Sequence, residues 1–141
     1  MASRCVPMRA AMALGLGGNA ITVSNALWDE MRKSGSAEDG EAKATAMALA
    51  KVVAESAANG EPPLRFGVVH PFSGHAYELR YWMAGVGIHP DKDVEITVLP
   101  PPLMPDALKV GQIDGYCVGE PWNTMSIMSG DGRIVTIKEA T

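Results

Sequence analysis

The sequence predicts an α/β fold in which helices flank a mostly parallel β-sheet. After residue 63, short apolar runs of strand character alternate with segments whose apolar residues recur at helical spacing. Glycine and proline stand at most junctions, where strands stop and helices begin or end. A repeated strand–helix order favours parallel strands joined by right-handed crossovers.

The first 63 residues are organised differently, with one predicted strand and two predicted helices. The successive segments are a strand at 11–16, a turn at 17–19, a helix at 22–33, a polar loop at 34–40 and a helix at 41–58. Both helices carry apolar residues on one face. Residues 59–63 then break the chain, because they combine a glycine with two prolines.

The stretch from 65 to 87 predicts a strand, a polar turn and a helix. His70 and Pro71 end the strand, since proline cannot donate to a ladder and keeps the preceding residue extended. The helix shows apolar residues at helical spacing, namely Ala76, Leu79, Met83 and Val86. Gly87 lies where a C-terminal cap glycine is expected. The turn therefore brings two histidines and a serine to the start of a helix.

The remaining elements repeat this order. They are a strand at 94–99, a helix from 101 to about 110, a strand at 113–118, a helix opened by 119–121 that runs to about 128, and a strand at 134–137. Pro121 suits the first turn of its helix, because its missing N–H has no partner there in any case.

Three strand-to-helix turns share one edge of the predicted sheet, at the carboxyl ends of the parallel strands, where such sheets bind ligands. The turns contain no lysine or arginine. Their candidate ligand-facing residues are His70, Ser73, His75, Gly119, Glu120 and Trp122. Free backbone N–H groups at a helix start attract anions, and His75 lies among them. From the residues alone, His75 either donates a hydrogen bond to an anion or is a capping or surface histidine.

Composition and spacing disfavour several classes of function. The 141 residues carry a formal net charge of −4 and no run of lysine or arginine, which disfavours nucleic-acid binding. Cys5 and Cys117 lack zinc-site or disulfide-framework spacing, so we expect no metal. No segment has transmembrane length without charges or glycine breaks. The amino terminus resembles a signal peptide, but Pro7 and Arg9 interrupt its apolar part. We therefore do not interpret it as a signal peptide.

Two sequence features are of a kind found in enzymes, but neither is complete enough to predict catalysis. Residues 15–20 match a GxGxxA dinucleotide fingerprint, yet no second strand ends in an acidic residue about 20 positions later. Glu120 could act as a general base, a metal ligand or a partner of its helix dipole, and the dipole partner is the default interpretation. No serine, cysteine or lysine has an evident activating partner. We therefore predict no catalytic residue and no cofactor.

One long stretch resembles a known family. The motif HPFSGH followed by ELRYW, PPP, GQIDG and VGEPWN spans residues 70–123. This combination resembles the nitrate/bicarbonate group of substrate-binding proteins of ABC transporters. Residues 14–28 are similar to an upstream part of the same family. Ala76 departs from the pattern, because the family often has an amide residue there.

The resemblance implies a type II periplasmic-binding-protein-like fold, with a ligand cleft between two lobes. It also implies a partial chain, with the end of the first lobe and its two helices at 1–63, the second α/β lobe at 64–128 and a return segment toward the first lobe at 129–141. A ligand-facing tryptophan is then expected before Met1. A charged residue that helps to separate nitrate binders from bicarbonate binders is expected after Thr141.

The same resemblance implies a ligand site and a function. His75 matches the family's ligand-binding histidine, Gly119 matches the glycine whose backbone faces the anion, and Asn19 lies near a polar amide position. The implied protein is the solute-binding component of an ABC importer, which binds nitrate, nitrite or bicarbonate without catalysis. Its partner is the membrane component of the transporter, and its location is the periplasm or the outer face of the membrane.

Three alternatives stay open from the sequence. A cytoplasmic nitrate sensor of the same fold, acting on a regulatory partner, could share every ligand residue. A thiamin-pyrimidine-synthase-like enzyme would need an active-site histidine and a cysteine-rich segment, and the sequence contains only 2 cysteines. A purely structural role would leave the turn histidines incidental.

Overall fold

Five strands form one mixed sheet in the computed structural model, which describes residues 18–35 and 41–137. The elements are β1 (Ala20–Ser24), α1 (Asn25–Lys33), α2 (Ala42–Ala58), β2 (Arg65–Val68), α3 (Gly74–Ala84), β3 (Glu95–Val98), a 3₁₀ turn (Pro101–Leu103), α4 (Met104–Lys109), β4 (Gly115–Val118), α5 (Trp122–Met128) and β5 (Gly132–Ile137). The strand–helix order predicted after residue 63 is confirmed, with boundaries shifted by a few residues. The strand predicted at 11–16 lies outside the described residues.

The strand order in the sheet is β3-β2-β4-β1-β5. The strand β2 pairs in parallel with β3 and β4, whereas β1 pairs antiparallel with both β4 and β5. Four strands therefore run in one direction and β1 runs in the other. The predicted α/β class is confirmed, and the sheet is mixed because the reversed strand lies inside it and makes two antiparallel pairings.

The prediction for residues 17–33 is wrong in one respect, because residues 20–24 form a strand and the helix begins at Asn25 instead of at residue 22. The β-branched residues Ile21, Thr22 and Val23 are fully buried between two neighbouring strands, which suits their stiff side chains. The hydroxyl of Ser24 then accepts a hydrogen bond from the Leu27 N–H at 3.2 Å and caps the helix.

Each face of the sheet is covered by helices and has its own core. The helices α1, α2 and α3 cover one face, and α4 and α5 cover the other. The alternation of strand side chains divides them: Cys117 belongs to the first core, whereas Tyr116 and Val118 on either side of it belong to the second. The larger core includes Met31, Leu49, Phe66, Leu79 and Met83.

The described sheet contains strands from all three segments that the resemblance implies. β1 comes from residues 1–63, β2 to β4 come from 64–128, and β5 comes from 129–141. The assignment of these segments to the lobes of a two-lobed protein stays a prediction. Within residues 18–35 and 41–137, no helix has both the length and the apolar character needed to cross a bilayer.

A methyl group added at Gly115 should destabilise the fold. A Cβ there would lie 2.7 Å from Cε1 of Phe66 and 2.9 Å from the carbonyl oxygen of Thr22. We expect Gly115→Ala to lower the free energy of unfolding by about 1–3 kcal/mol, because both neighbours are buried and must move. Urea denaturation measures the change. Gly74→Ala is the control, since no atom lies within 4 Å of its Cβ position, and equal stability of the two variants would contradict the packing described.

The buried thiol of Cys117 should be unreactive near neutral pH. Burial, with a smaller contribution from the Glu78 carboxylate, raises the pKa of Cys117 from 9.0 to about 12. In a Cys5→Ser background, we expect a thiol reagent at pH 8 to label the native chain far more slowly than the urea-unfolded chain, because the thiolate is the nucleophile. Similar labelling rates in the two states would contradict this burial.

The same shift predicts how stability depends on alkaline pH. The unfolded thiol loses its proton from about pH 9, whereas the folded thiol keeps its proton until about pH 12. The contribution of Cys117 to stability is therefore complete below pH 9 and falls as the pH rises through this interval. A Cys117→Ala variant in the same background should lose less stability than its parent between pH 8 and pH 10.

Candidate functional site

The three residues predicted to bind a ligand come together at one edge of the sheet. Nε2 of His75 lies 2.9 Å from Oδ1 of Asn19, at hydrogen-bonding distance. The Cβ position of Gly119, which glycine leaves vacant, is 3.5 Å from Oδ1 of Asn19 and 4.0 Å from Nε2 of His75. An imidazole, a side-chain amide and a bare stretch of backbone thus surround one small space.

The reversed direction of β1 brings Asn19 to this edge. Ala20 is paired with Val118 in the antiparallel ladder, so the residue before β1 and the residue after β4 are neighbours. A hydrogen bond of 3.1 Å from the Glu120 N–H to the carbonyl of Gly18 continues this pairing. Asn19 was predicted in a turn between a strand and a helix, and the structure places it ahead of a strand instead.

His75 is presented by the first turn of α3. The hydroxyl of Ser73 accepts a hydrogen bond from the Ala76 N–H at 3.2 Å and donates one to the carbonyl of His70 at 2.7 Å. This N-cap satisfies one of the first-turn N–H groups, which have no acceptor within the helix. His75 is half-buried here, at the positive end of the helix dipole.

A fourth residue, Glu78, joins the site and was missed by the sequence analysis. Nδ2 of Asn19 lies 3.2 Å from Oε1 and 3.3 Å from Oε2 of Glu78. Glu78 follows His75 by three positions on α3, so that the two side chains share one helix face. This spacing could have indicated the pair, but the role of Glu78 becomes evident only when β1 delivers Asn19 to it.

Glu120 and Trp122, the other candidates on this edge, have local partners. One carboxylate oxygen of Glu120 accepts hydrogen bonds from the N–H of Thr124 at 3.1 Å and from its hydroxyl at 2.8 Å. These contacts fit the default interpretation of Glu120 as a partner of its own helix start. Trp122 is half-buried and packs against the second core, as Val69 and Leu99 do.

His70 and His89 also have structural surroundings. Nδ1 of His70 accepts a hydrogen bond from the Phe72 N–H at 3.1 Å, within the turn before α3. The backbone N–H of His89 donates to Oδ2 of Asp93 at 2.7 Å in an exposed loop. These positions agree with the predictions that His70 belongs to the turn and that His89 is a loop residue.

A buried hydrogen-bond network fixes the turn that carries Gly119. Asn123 is fully buried; its amide accepts a hydrogen bond from the Thr22 hydroxyl at 2.7 Å and donates one to the Val118 carbonyl at 2.8 Å. The hydroxyl of Tyr116 donates to the Trp122 carbonyl at 2.9 Å. These three hydrogen bonds tie the start of α5 to the sheet, and satisfied buried polar groups of this kind hold a single geometry.

The arrangement is suited to hydrogen bonding rather than to covalent chemistry. Among the residues that the structure describes, no group of three or more histidine, cysteine or acidic side chains could hold a metal ion. Cys117 is near the site, but burial raises its thiol pKa to about 12 and keeps it protonated at neutral pH. The available groups are an imidazole, an amide, the amides of a helix start and one carboxylate.

The chain is similar to proteins whose names refer to nitrate or bicarbonate transport and binding. The chain is 39% identical over 127 residues to a bicarbonate transport ATP-binding protein, CmpC, of Synechocystis, which covers 90% of this chain and 17% of the relative. It is 45% identical over 64 residues to a nitrate/nitrite binding protein, NrtA, of Nostoc, which covers 45% of this chain and 14% of the relative. The chain thus spans less than a fifth of the length of either relative.

A solved structure agrees with the fold. The periplasmic nitrate-binding protein NrtA from Synechocystis superposes with a TM-score of 0.67 at 25% identity, over 86% of this chain and 28% of that protein. This similarity confirms the predicted resemblance to nitrate/bicarbonate-type binding proteins and the periplasmic-binding fold class. Residues 1–140 match the model of the NMT1-like family. The chain belongs to the NMT1-like family.

Proposed function

We propose that this chain is part of a solute-binding protein of an ABC importer and contributes one wall of a site for nitrate, nitrite or bicarbonate. The observation that carries the proposal is the convergence of Asn19, His75 and Gly119 on one small space. The names of the relatives, which refer to transport or binding of nitrate, nitrite and bicarbonate, support this class of ligand.

The physical basis of binding is a set of donors at the end of the sheet. The His75 ring lies near Gly119 and belongs to the first turn of α3, and hydrogen bonds to an ionised acceptor are the stronger ones. A helix start adds partial positive charge. In a two-lobed protein, the other lobe would supply the opposite wall of the cleft and exclude water from the anion.

We propose that the site binds without turnover, and the groups present support this. The described site contains no nucleophile paired with an activating base, and its one nearby thiol stays protonated at neutral pH. The relatives are named as transport and binding proteins. We therefore propose the membrane component of the importer as the partner and the periplasm as the location, as for the NrtA protein of solved structure.

A second candidate function is a solute-sensing module that belongs to an ATP-binding protein and acts in the cytoplasm. Its support is that the match to the ATP-binding relative covers 90% of this chain, whereas the match to the nitrate/nitrite binding protein covers 45%. The 141 residues contain no GxxxxGK[ST] motif, so this similarity does not include a phosphate-binding loop of that kind. Recovery of the tagged protein in the periplasmic fraction would favour the importer component. Recovery in the cytoplasmic fraction together with an ATP-binding protein would favour the sensor.

Gly119→Ala should weaken anion binding and leave the fold intact. The added methyl group would be at ordinary contact distance, 3.5 Å or more from every neighbour, but would occupy the space beside the Asn19–His75 contact that the anion is proposed to use. We expect an unchanged unfolding midpoint and a loss of nitrate or bicarbonate affinity of about tenfold or more, because the hydrogen bonds to the anion can no longer form. Isothermal titration calorimetry with each anion measures the affinity.

The matched control is Gly85→Ala at the other end of α3. Its Cβ would also have its nearest neighbour at 3.5 Å, the carbonyl of Tyr81, but it is remote from the proposed site. Gly85→Ala should bind as the unmodified chain does. Unchanged affinity in Gly119→Ala, or an equal loss in both variants, would contradict the proposed site.

A further inference from the structure

A continuous hydrogen-bonded chain of three side chains leads into the proposed site. It runs from the Glu78 carboxylate through the Asn19 amide to the His75 ring, with 3.2 and 3.3 Å in the first link and 2.9 Å in the second. All three residues are half-buried. Asn19 therefore has a partner on each side, and its amide can turn either its NH₂ group or its carbonyl oxygen toward each partner.

The carboxylate of Glu78 determines how the amide is turned. An ionised carboxylate only accepts hydrogen bonds, and both of its oxygens face the same atom of Asn19. That atom must be the NH₂ nitrogen, because the opposite orientation would place a carbonyl oxygen against two acceptors. The carbonyl oxygen Oδ1 of Asn19 consequently faces His75.

The orientation of the amide in turn determines which ring nitrogen carries hydrogen. Oδ1 of Asn19 can only accept, so Nε2 of His75 must be the donor across the 2.9 Å contact. The other ring nitrogen, Nδ1, is buried and has no hydrogen-bond partner within residues 18–35 and 41–137. Among these residues, Nδ1 therefore lacks a partner in either tautomer, and the contact with Asn19 alone decides between them.

We propose that Glu78 is a positioning residue, which sets the His75 tautomer through Asn19 and so keeps a hydrogen on Nε2 for a bound anion. Nε2 is the ring nitrogen near the Cβ position of Gly119, at 4.0 Å. An anion in that space can share or take over the hydrogen that Asn19 accepts in its absence. This inference rests on the proposed anion-binding function and adds a specific role for a residue that does not itself touch the anion.

Positioning and simple charge predict opposite effects of removing the carboxylate. Glu78 places a negative charge close to the site, so its loss by itself would strengthen the binding of an anion. If Glu78 sets the tautomer, its loss weakens binding, because a glutamine can both donate and accept and lets the Asn19 amide take either orientation. Nε2 of His75 is then without hydrogen for part of the time and repels an anion.

The experiment compares Glu78→Gln with Glu55→Gln, which removes the same charge from an exposed position on α2. Long-range ¹H–¹⁵N NMR spectra of the ligand-free chain report the tautomer at about pH 8.5, where an ordinary imidazole is neutral. The His75 signals are assigned by their absence in His75→Gln. Calorimetry then gives the affinity of each variant for nitrate and for bicarbonate.

The expected result has two parts. The unmodified chain and Glu55→Gln show His75 as the Nε2–H tautomer, whereas Glu78→Gln shows a mixture of the two tautomers. The affinity of Glu78→Gln for the anion that the chain binds falls in proportion to the fraction of the chain that keeps the Nε2–H tautomer, by about twofold for an equal mixture. A dispersed amide spectrum of Glu78→Gln confirms that the variant is folded.

Other outcomes separate this inference from the proposed function. An unchanged tautomer in Glu78→Gln, or tighter anion binding by that variant, overturns the positioning role. A tautomer that changes as expected in a chain that binds neither nitrate nor bicarbonate supports the control of the ring by Glu78 and overturns the proposed function instead.

Discussion

The antiparallel pairing of β1 with β4 is the constraint on which the site depends. Its register places Ala20 opposite Val118, and therefore Asn19 next to Gly119. In a fully parallel sheet, the residue before a central strand would lie at the opposite edge, far from the turns that follow β2 and β4. One reversed strand thus adds an amide to an edge that already has the start of α3.

The same edge is stabilised from both faces of the sheet. On one face, the cap by Ser73 fixes the start of α3 and with it His75. On the other, Asn123 and Tyr116 hold the turn after β4 through one buried and one partly buried hydrogen bond. Buried polar groups are costly when they lose a partner, so these contacts restrict the backbone at Gly119 more than apolar packing alone would. The loops that form the site are therefore held in place by hydrogen bonds to the sheet and to the helices that cover it.

Much of this arrangement could be predicted from local patterns, and the remainder depends on contacts between distant segments. The strand–helix order after residue 63 and the place of His75 and Gly119 follow from proline, glycine and apolar spacing. The start of α1 was predicted too early because residues 22–33 carry apolar residues at helical spacing, whereas burial between two strands and the Ser24 cap favour a strand at 20–24. The direction of β1 and the role of Glu78 are set by pairing across the sheet and by a contact 59 residues apart in the chain. Neither has a signal within a short window of sequence.

We propose that Asn19, His75 and Gly119 form one anion site, and a two-dimensional amide NMR titration of the 141-residue chain tests this proposal. Nitrate and bicarbonate are added separately, with chloride as the control for ionic strength. We predict saturable shifts with at least one of the two anions, at the amides of all three residues and at the start of α3, that chloride does not reproduce. Dispersed spectra in which these amides respond no differently to nitrate, bicarbonate and chloride would contradict the account.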